Sequence, residues 1–370
     1  MTEVFDRRRI AALLRDSGDT AIPATVEGLE RCMEAAAEEG VAALLAQRWS
    51  VSPSLAHPLR LALQRHLRQA ALDELARDAF ERTILRQLAA AGIVCVVLKG
   101  AALARWLYPQ PFQRPRADLD LLFSRREELA AAETALARVG FRWNGVLTNG
   151  PSFERVLIGN LAGQEHHVDA HWRLANHPVF ADSFDFAELL RASQPLASLA
   201  GSPALGKVHA LAHACLHRVN NLLDGRGDRL IWLYDIALLT RSLDPQGWSA
   251  LCALAKAKQI AGPCADGLSA SSEFLHAPVS WAVLEALRTS ANAEDFDMRF
   301  ASRRWYFEAQ LLARLRWWQR PRQLAQKFFP GRAYMYQRYG LQRGTELPAA
   351  YLRRWMDAGR QLLGFLRRGS

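Results

Sequence analysis

The sequence predicts an α+β fold, a small mixed β-sheet core flanked by helical regions on both sides, and three observations carry that expectation. Val94 to Leu98 is an unbroken apolar, largely β-branched run that stops at Lys99-Gly100 before a helix-like Ala/Leu segment, which reads as a buried strand turning into a helix. Ala117 to Phe123 (ADLDLLF) alternates carboxylates with leucines, the period of a strand with one polar face. The stretches before and after this region repeat apolar residues at spacings of three and four, the period of helices packed on one face.

Taken in order, residues 5 to 90 read as helices in RRRIAALLRDSG, in VEGLERCMEAAAEEGVAALLAQRW and in LRLALQRHLRQAALDELARDAFERTILRQLAAAG, with Gly92 as a stop and the charges as solvated faces. From 93 to about 195 the pattern is α/β. Ser124 is placed to cap a helix running from Arg125 to Val139 and ended by Gly140. Phe141 to Val146 and Phe153 to Ile158 read as strands, with Gly159-Asn160 and Gly163 in the hairpin turn that returns the chain into a strand around Asp169. Phe184 to Leu190 begins a helix or linker, and the turn-rich Ser193 to Pro203 reads as a boundary. Helical periodicity resumes at about 204. The expected segments are residues 1–90, 91–195, 196–300 and 301–370.

Candidate chemistry gathers on the two strands. Side chains alternate along a strand, so Asp118 and Asp120 share a face while Leu119 and Leu121 point into the core; two anions side by side call for a divalent cation. In Glu165-His166-His167-Val168-Asp169-Ala170-His171-Trp172, Asp169 has Val168 and Ala170 on its opposite side, so pairing of the two strands would bring three carboxylates to one pocket. The turn at Lys99-Gly100 can deliver a phosphate to a helix start. The structural alternatives are that Asp118 and Asp120 pair with Arg114 and Arg116, that Asp169 pairs with His167 or His171, and that Lys99 is an exposed strand-end residue.

A strand, a glycine turn, a helix, a strand bearing D-x-D and a later strand bearing one more Asp resembles the nucleotidyltransferase superfamily of DNA polymerase β type. The words LKGAAL, the arginine before ADLDLLF, VDAHWRL and RLIWLYDIALL resemble more closely an uncharacterised bacterial nucleotidyltransferase family (nucleotidyltransferase-like family 5), over roughly residues 85 to 245. The resemblance implies a nucleotidyltransferase core that moves a nucleoside monophosphate from an NTP to a hydroxyl acceptor, with pyrophosphate leaving. It implies two Mg²⁺ (or Mn²⁺) ions on Asp118 and Asp120, with Asp169 on the metal that activates the acceptor and doubling as general base. Lys99 or Arg114 would grip the triphosphate. Where the wider superfamily has Gly-Ser after the first strand, this chain has Lys99-Gly100-Ala101, which leaves phosphate to the Lys99 ammonium and the amides of Gly100 and Ala101. His217, Arg229 and Asp235 would border the nucleotide or acceptor pocket, against the plainer reading of packing and ion pairing. The competing class is a non-catalytic nucleotide- or partner-binding module, which would bind nucleotide without Mg²⁺.

The acceptor class stays open between a small molecule, a protein side chain and an RNA end. His209, His213 and His217 share a helix face, but without H-E-x-x-H or a companion ligand they read as packing rather than metal. Five scattered cysteines with no C-x-x-C pair read as core residues. No leader pattern and no apolar run of ~18 residues is present, and the expected compartment is the cytoplasm. The net charge of +10 is uneven: residues 300–370 hold fifteen Lys and Arg against Glu308, Glu346 and Asp357, a net of +12, leaving −2 for residues 1–299. This tail interleaves arginines with aromatics, as in Arg303-Arg304-Trp305-Tyr306-Phe307, Arg316-Trp317-Trp318 and Arg353-Arg354-Trp355. It fits plain packing, an anionic membrane surface, RNA or a protein partner.

Overall fold

The structure is a computed structural model and describes residues 5–15, 22–145, 152–225, 227–300 and 304–366. The chain opens with α1 (Arg7–Arg15), α2 (Val26–Glu38), α3 (Ala42–Ser50) and α4 (His57–Ala90). Thr25 caps α2 by accepting from the Gly28 amide at 3.1 Å. The 34 residues of α4 make a rod about 50 Å long, and the chain turns off it through Gly92, whose φ of +69° is a left-handed geometry suited to glycine.

The sheet region follows as β1 (Val96–Val97), α5 (Lys99–Trp106), β2 (Asp118–Leu122), α6 (Glu128–Ala137), β3 (Arg142–Trp143), β4 (Glu154–Leu161), β5 (Gln164–His171), α7 (Phe186–Arg191), β6 (Ser193–Leu196) and β7 (Ser202–Leu205). The seven strands lie in the order β3-β4-β5-β2-β1-β7-β6. β2 runs parallel to β5 and β1 parallel to β7; the other neighbours are antiparallel. The mixed sheet expected from the sequence is therefore present, larger than expected at one end.

Three details differ. The stretch Ser193 to Pro203 is not a boundary but the β6–β7 hairpin, which extends the sheet beyond β1. Its prolines, Pro195 and Pro203, face each other, and with β6 at the sheet edge the missing amide of Pro195 costs little. Gly159 and Asn160 lie inside β4; the turn is Ala162-Gly163, with φ of +54° and +81°. Gly159 is needed for close approach, since a Cβ there would sit 2.6 Å from the Phe141 ring. The helix after β2 starts at Glu128, and the Ser124 hydroxyl donates to the Glu128 carboxylate instead of capping at 125. The expected strand end at Val146 lies outside the described residues.

Alternation along β2 builds two cores. Leu119, Leu121 and Phe123 pack with Ile84 and Leu88 of α4 and Leu129 of α6. On the other side, Val96, Leu98 and Leu122 join an apolar cluster running from Ile10 to Tyr306. That cluster draws in α8 (Lys207–Leu223), α9 (Leu230–Ser242), α10 (Pro245–Lys258), α11 (Ala261–Leu275) and α12 (Trp281–Ala291). The tail forms α13 (Arg304–Arg314), α14 (Arg320–Phe328), α15 (Arg332–Tyr339) and α16 (Leu347–Leu366), with a small core of its own at Met335, Leu347 and Ala350. Among the described residues no helix is long and apolar enough to cross a membrane.

The charges of α4 are not all solvated. Glu74 and Glu81 are buried against the sheet side, where Arg105 and Arg116 meet them. The helix is long enough to run past the first core and under the loop before β2, so a face that periodicity reads as outer is covered.

Candidate active site

The parallel register of β2 and β5 sets Asp118 opposite His167, Asp120 opposite Asp169 and Leu122 opposite His171. Paired residues share a sheet face, so the carboxylates of Asp118, Asp120 and Asp169 and the His171 ring stand on one side, away from Leu119 and Leu121. Ligand atoms of Asp120, Asp169 and His171 lie within 4.8 Å of one another, an arrangement able to hold one metal ion. Asp118 stands outside that set, next along the strand face.

Lys99 joins them from the start of α5. Its ammonium donates to Asp120 Oδ1 at 2.6 Å, and its side chain is 18 % exposed, so it is a half-buried, paired residue rather than a free strand end. Its backbone is left-handed, φ +47°, a strain of about 1–3 kcal/mol that a non-glycine residue bears where the surroundings fix it. Gly100 lets the loop before β2 approach: a Cβ would lie 3.1 Å from Arg116 Cβ. Ala101 is buried, and both residues sit in the first turn of α5.

Electrostatics separate the three carboxylates. Burial alone would raise Asp120, but the Lys99 ammonium and the His171 ring, whose Nε2 lies 2.9 Å from Oδ1, hold it well below the usual carboxylate range. Asp118 is raised by burial and then by the Asp120 charge. Asp169 is pushed up to about 7, by burial first and by Asp120 and Asp118 after it. Three carboxylates beside one ammonium leave a surplus of negative charge, which favours a cation.

Residues 27–293 match the family model described as uncharacterised nucleotidyltransferase. The chain belongs to this family of nucleotidyltransferases. Among curated proteins none matches the sequence. One solved structure, a solution structure of the antibiotic-resistance factor ANT(2'')-Ia, aligns at 17 % identity over 50 % of this chain and 95 % of that one, with a TM-score of 0.33.

In this nucleotidyltransferase the structural alternatives for the carboxylates do not hold. Arg114 is engaged by Asp235, with Nη2 2.7 Å from Oδ2 and Nε bonded to both oxygens, and Tyr108 donates to the same carboxylate at 2.6 Å. Arg116 is held by Glu74 and Glu81 at 2.8 and 2.6 Å. His167 contacts Glu165, and His171 bonds Asp120 rather than Asp169.

The helical residues fall into two groups. His217 and Asp235 do border a space shared with Lys99 and Arg114: with His213 and Trp232 they line an internal cavity of about 20 Å³, room for one water. Arg229 is not among its lining residues; its Nε donates to the Glu38 carbonyl and its guanidinium lies 6.0 Å from the Trp232 ring, one step further out. The three histidines of α8 do not converge on a metal. His213 and His217 are 6.5 Å apart ring to ring, and burial, then the Lys99 charge, keeps both neutral, His213 with a pKa of about 3. His209 faces Glu188 instead, at 3.8 Å.

Two residues of the cluster escaped the sequence reading as members of a site. His171 was legible only as a pairing partner, although its position two after Asp169 puts it on the same face. Glu154, opposite His171 on β4, brings Oε2 to 3.4 Å from His171 Nδ1, and nothing short of the register places it there.

Proposed function

We propose that this chain transfers a nucleoside monophosphate from an NTP to a hydroxyl acceptor, releasing pyrophosphate, with its centre at Asp120, Asp169 and His171. The reading rests above all on the β2–β5 register that sets Asp120 beside Asp169 next to Lys99. The two carboxylates of Asp120 and Asp169, with surplus negative charge, suit a hard divalent ion such as Mg²⁺ or Mn²⁺, and the His171 ring beside them bonds Asp120. Held there, such an ion supplies a lowered acceptor-hydroxyl pKa and neutralisation of the leaving pyrophosphate.

The chain's own residues do the rest. Asp169 is placed to take the proton of the acceptor hydroxyl as that oxygen bonds to the α-phosphorus and the bond to the β-phosphate oxygen breaks. Lys99 presents a cation at the strand–helix turn for the triphosphate, with the amides of Gly100 and Ala101 in the first turn of α5 as further donors. Asp118 adds negative charge beside the pair and is the position for a second ion. Arg114 reaches no phosphate from its clamp on Asp235; with His217 it forms the wall behind Lys99. Arg229 acts, if at all, through Trp232.

The test is thermal stabilisation by each NTP, with and without Mg²⁺ or Mn²⁺, in wild type and Asp120→Asn. At a hundredfold over its dissociation constant, a nucleotide bound only by the native state adds about 2.7 kcal/mol. One NTP should stabilise the wild type, need the metal, and lose its effect in the variant. Stabilisation that ignores both would replace transfer by the binding-module reading.

A further inference from the structure

We propose that the platform built by α14 and α16 docks on the surface of an anionic lipid bilayer. The inference is independent of the transfer chemistry.

The platform is apolar where a solvated tail would be polar. Leu324 and Phe328, four apart on α14, are 40 % and 54 % exposed; Leu352, Trp355 and Met356, at i, i+3 and i+4 on α16, are 56 %, 39 % and 49 % exposed. The two stripes are joined. Phe329 meets Trp355 edge-on with centroids 5.2 Å apart, and Trp355 Nε1 donates to the Phe328 carbonyl at 2.8 Å. The neighbouring turn adds Trp317 and Trp318, 74 % and 53 % exposed. Exposed apolar surface joined between α14 and α16 through Phe328, Phe329 and Trp355 marks an interaction site.

Charge names the partner. Fifteen basic residues against three acids in residues 300–370 cannot be neutralised within the tail, while the rest of the chain carries a net −2. Arg316, Arg320, Arg322 and Arg353 are exposed on the same elements as the apolar side chains. An anionic partner fits this charge, and it must also accept aliphatic groups. Nucleic acid stacks on rings but offers nothing to Leu324, Leu352 or Met356, whereas the headgroup–acyl boundary takes aliphatic, tryptophan and arginine side chains together. With no described helix able to span a bilayer, the tail would lie on the surface.

The full chain should co-sediment with phosphatidylcholine vesicles containing phosphatidylglycerol and not with phosphatidylcholine alone, and binding should weaken as salt rises. Leu352→Ser/Met356→Ser and Trp317→Ser/Trp318→Ser should each reduce it about tenfold or more. Arg320→Gln and Arg322→Gln should cost about fivefold each. An unchanged melting temperature in these exposed-site variants would show that the loss is not misfolding. The proposal is overturned if anionic vesicles are not bound, if the apolar variants bind as wild type does, if single-stranded RNA is bound in place of vesicles, or if the patch proves to be covered by a second copy of the chain in sedimentation velocity.

Discussion

Two clusters of buried charge lie at either end of the loop that leads into β2, and they are built on opposite rules. In the first, Arg116 sits between Glu74 and Glu81, Arg105 reaches Glu74, Asp78 and Glu81, and Arg82 meets Asp78, so three guanidiniums face three carboxylates. In the second, Asp118, Asp120 and Asp169 share one ammonium, and the result is a carboxylate forced low at Asp120 and another forced up to about 7 at Asp169. Arg114 with Asp235 repeats the first rule a few residues away. Buried charges that only hold a fold together come matched, because an unmatched one costs several kcal/mol. A surplus of one sign, kept in place by strand register, marks where something else is meant to bind.

The contrast can be broken by removing one carboxylate from each cluster. Glu81→Gln strips both Arg105 and Arg116 of a partner at a site 1 % exposed, and it should cost about 3–5 kcal/mol in denaturant unfolding. A loss near zero would mean the first cluster is no scaffold.

A buried histidine far from both clusters sharpens the scale. His177 is 4 % exposed, its Nδ1 accepts from the Val179 amide, and burial, with Arg314 adding to it, pushes its pKa from 6.5 to about 3. The folded ring stays neutral while the unfolded one takes a proton below 6.5. Its contribution is therefore complete above that pH and lost as pH falls toward 3, at up to about 1.4 kcal/mol per pH unit. His177→Gln should flatten the acid limb of the stability profile by that slope; an unchanged limb would show the ring is not held neutral.

The smallest effect on stability is expected at the proposed centre. Asp169→Asn removes a repelled charge and should leave the melting temperature unchanged or higher.

Much of this was legible in sequence. The alternation of ADLDLLF gave the shared face of Asp118 and Asp120, and the apolar run ending at Lys99-Gly100 gave the strand–helix turn, because both depend on local periodicity. The partners of Arg114 and Arg116 were not legible, since Asp235 lies 121 residues away and Glu81 lies 35 away on a helix whose covered side periodicity does not reveal. The same holds for His171 and Lys99 meeting on Asp120, which is a product of register. The β6–β7 hairpin was hidden by two prolines that signal turns in sequence, of which Pro195 is tolerated because β6 is the sheet edge.

The most direct test of the charge-surplus account is Mn²⁺ binding to the nucleotide-free protein, followed by electron paramagnetic resonance in wild type, Asp169→Asn and Tyr108→Phe, the last touching only the matched Arg114–Asp235 cluster. Wild type and Tyr108→Phe should bind the ion alike, and Asp169→Asn should bind it more than about tenfold more weakly. Equal affinity in all three, or none in the wild type, would contradict it.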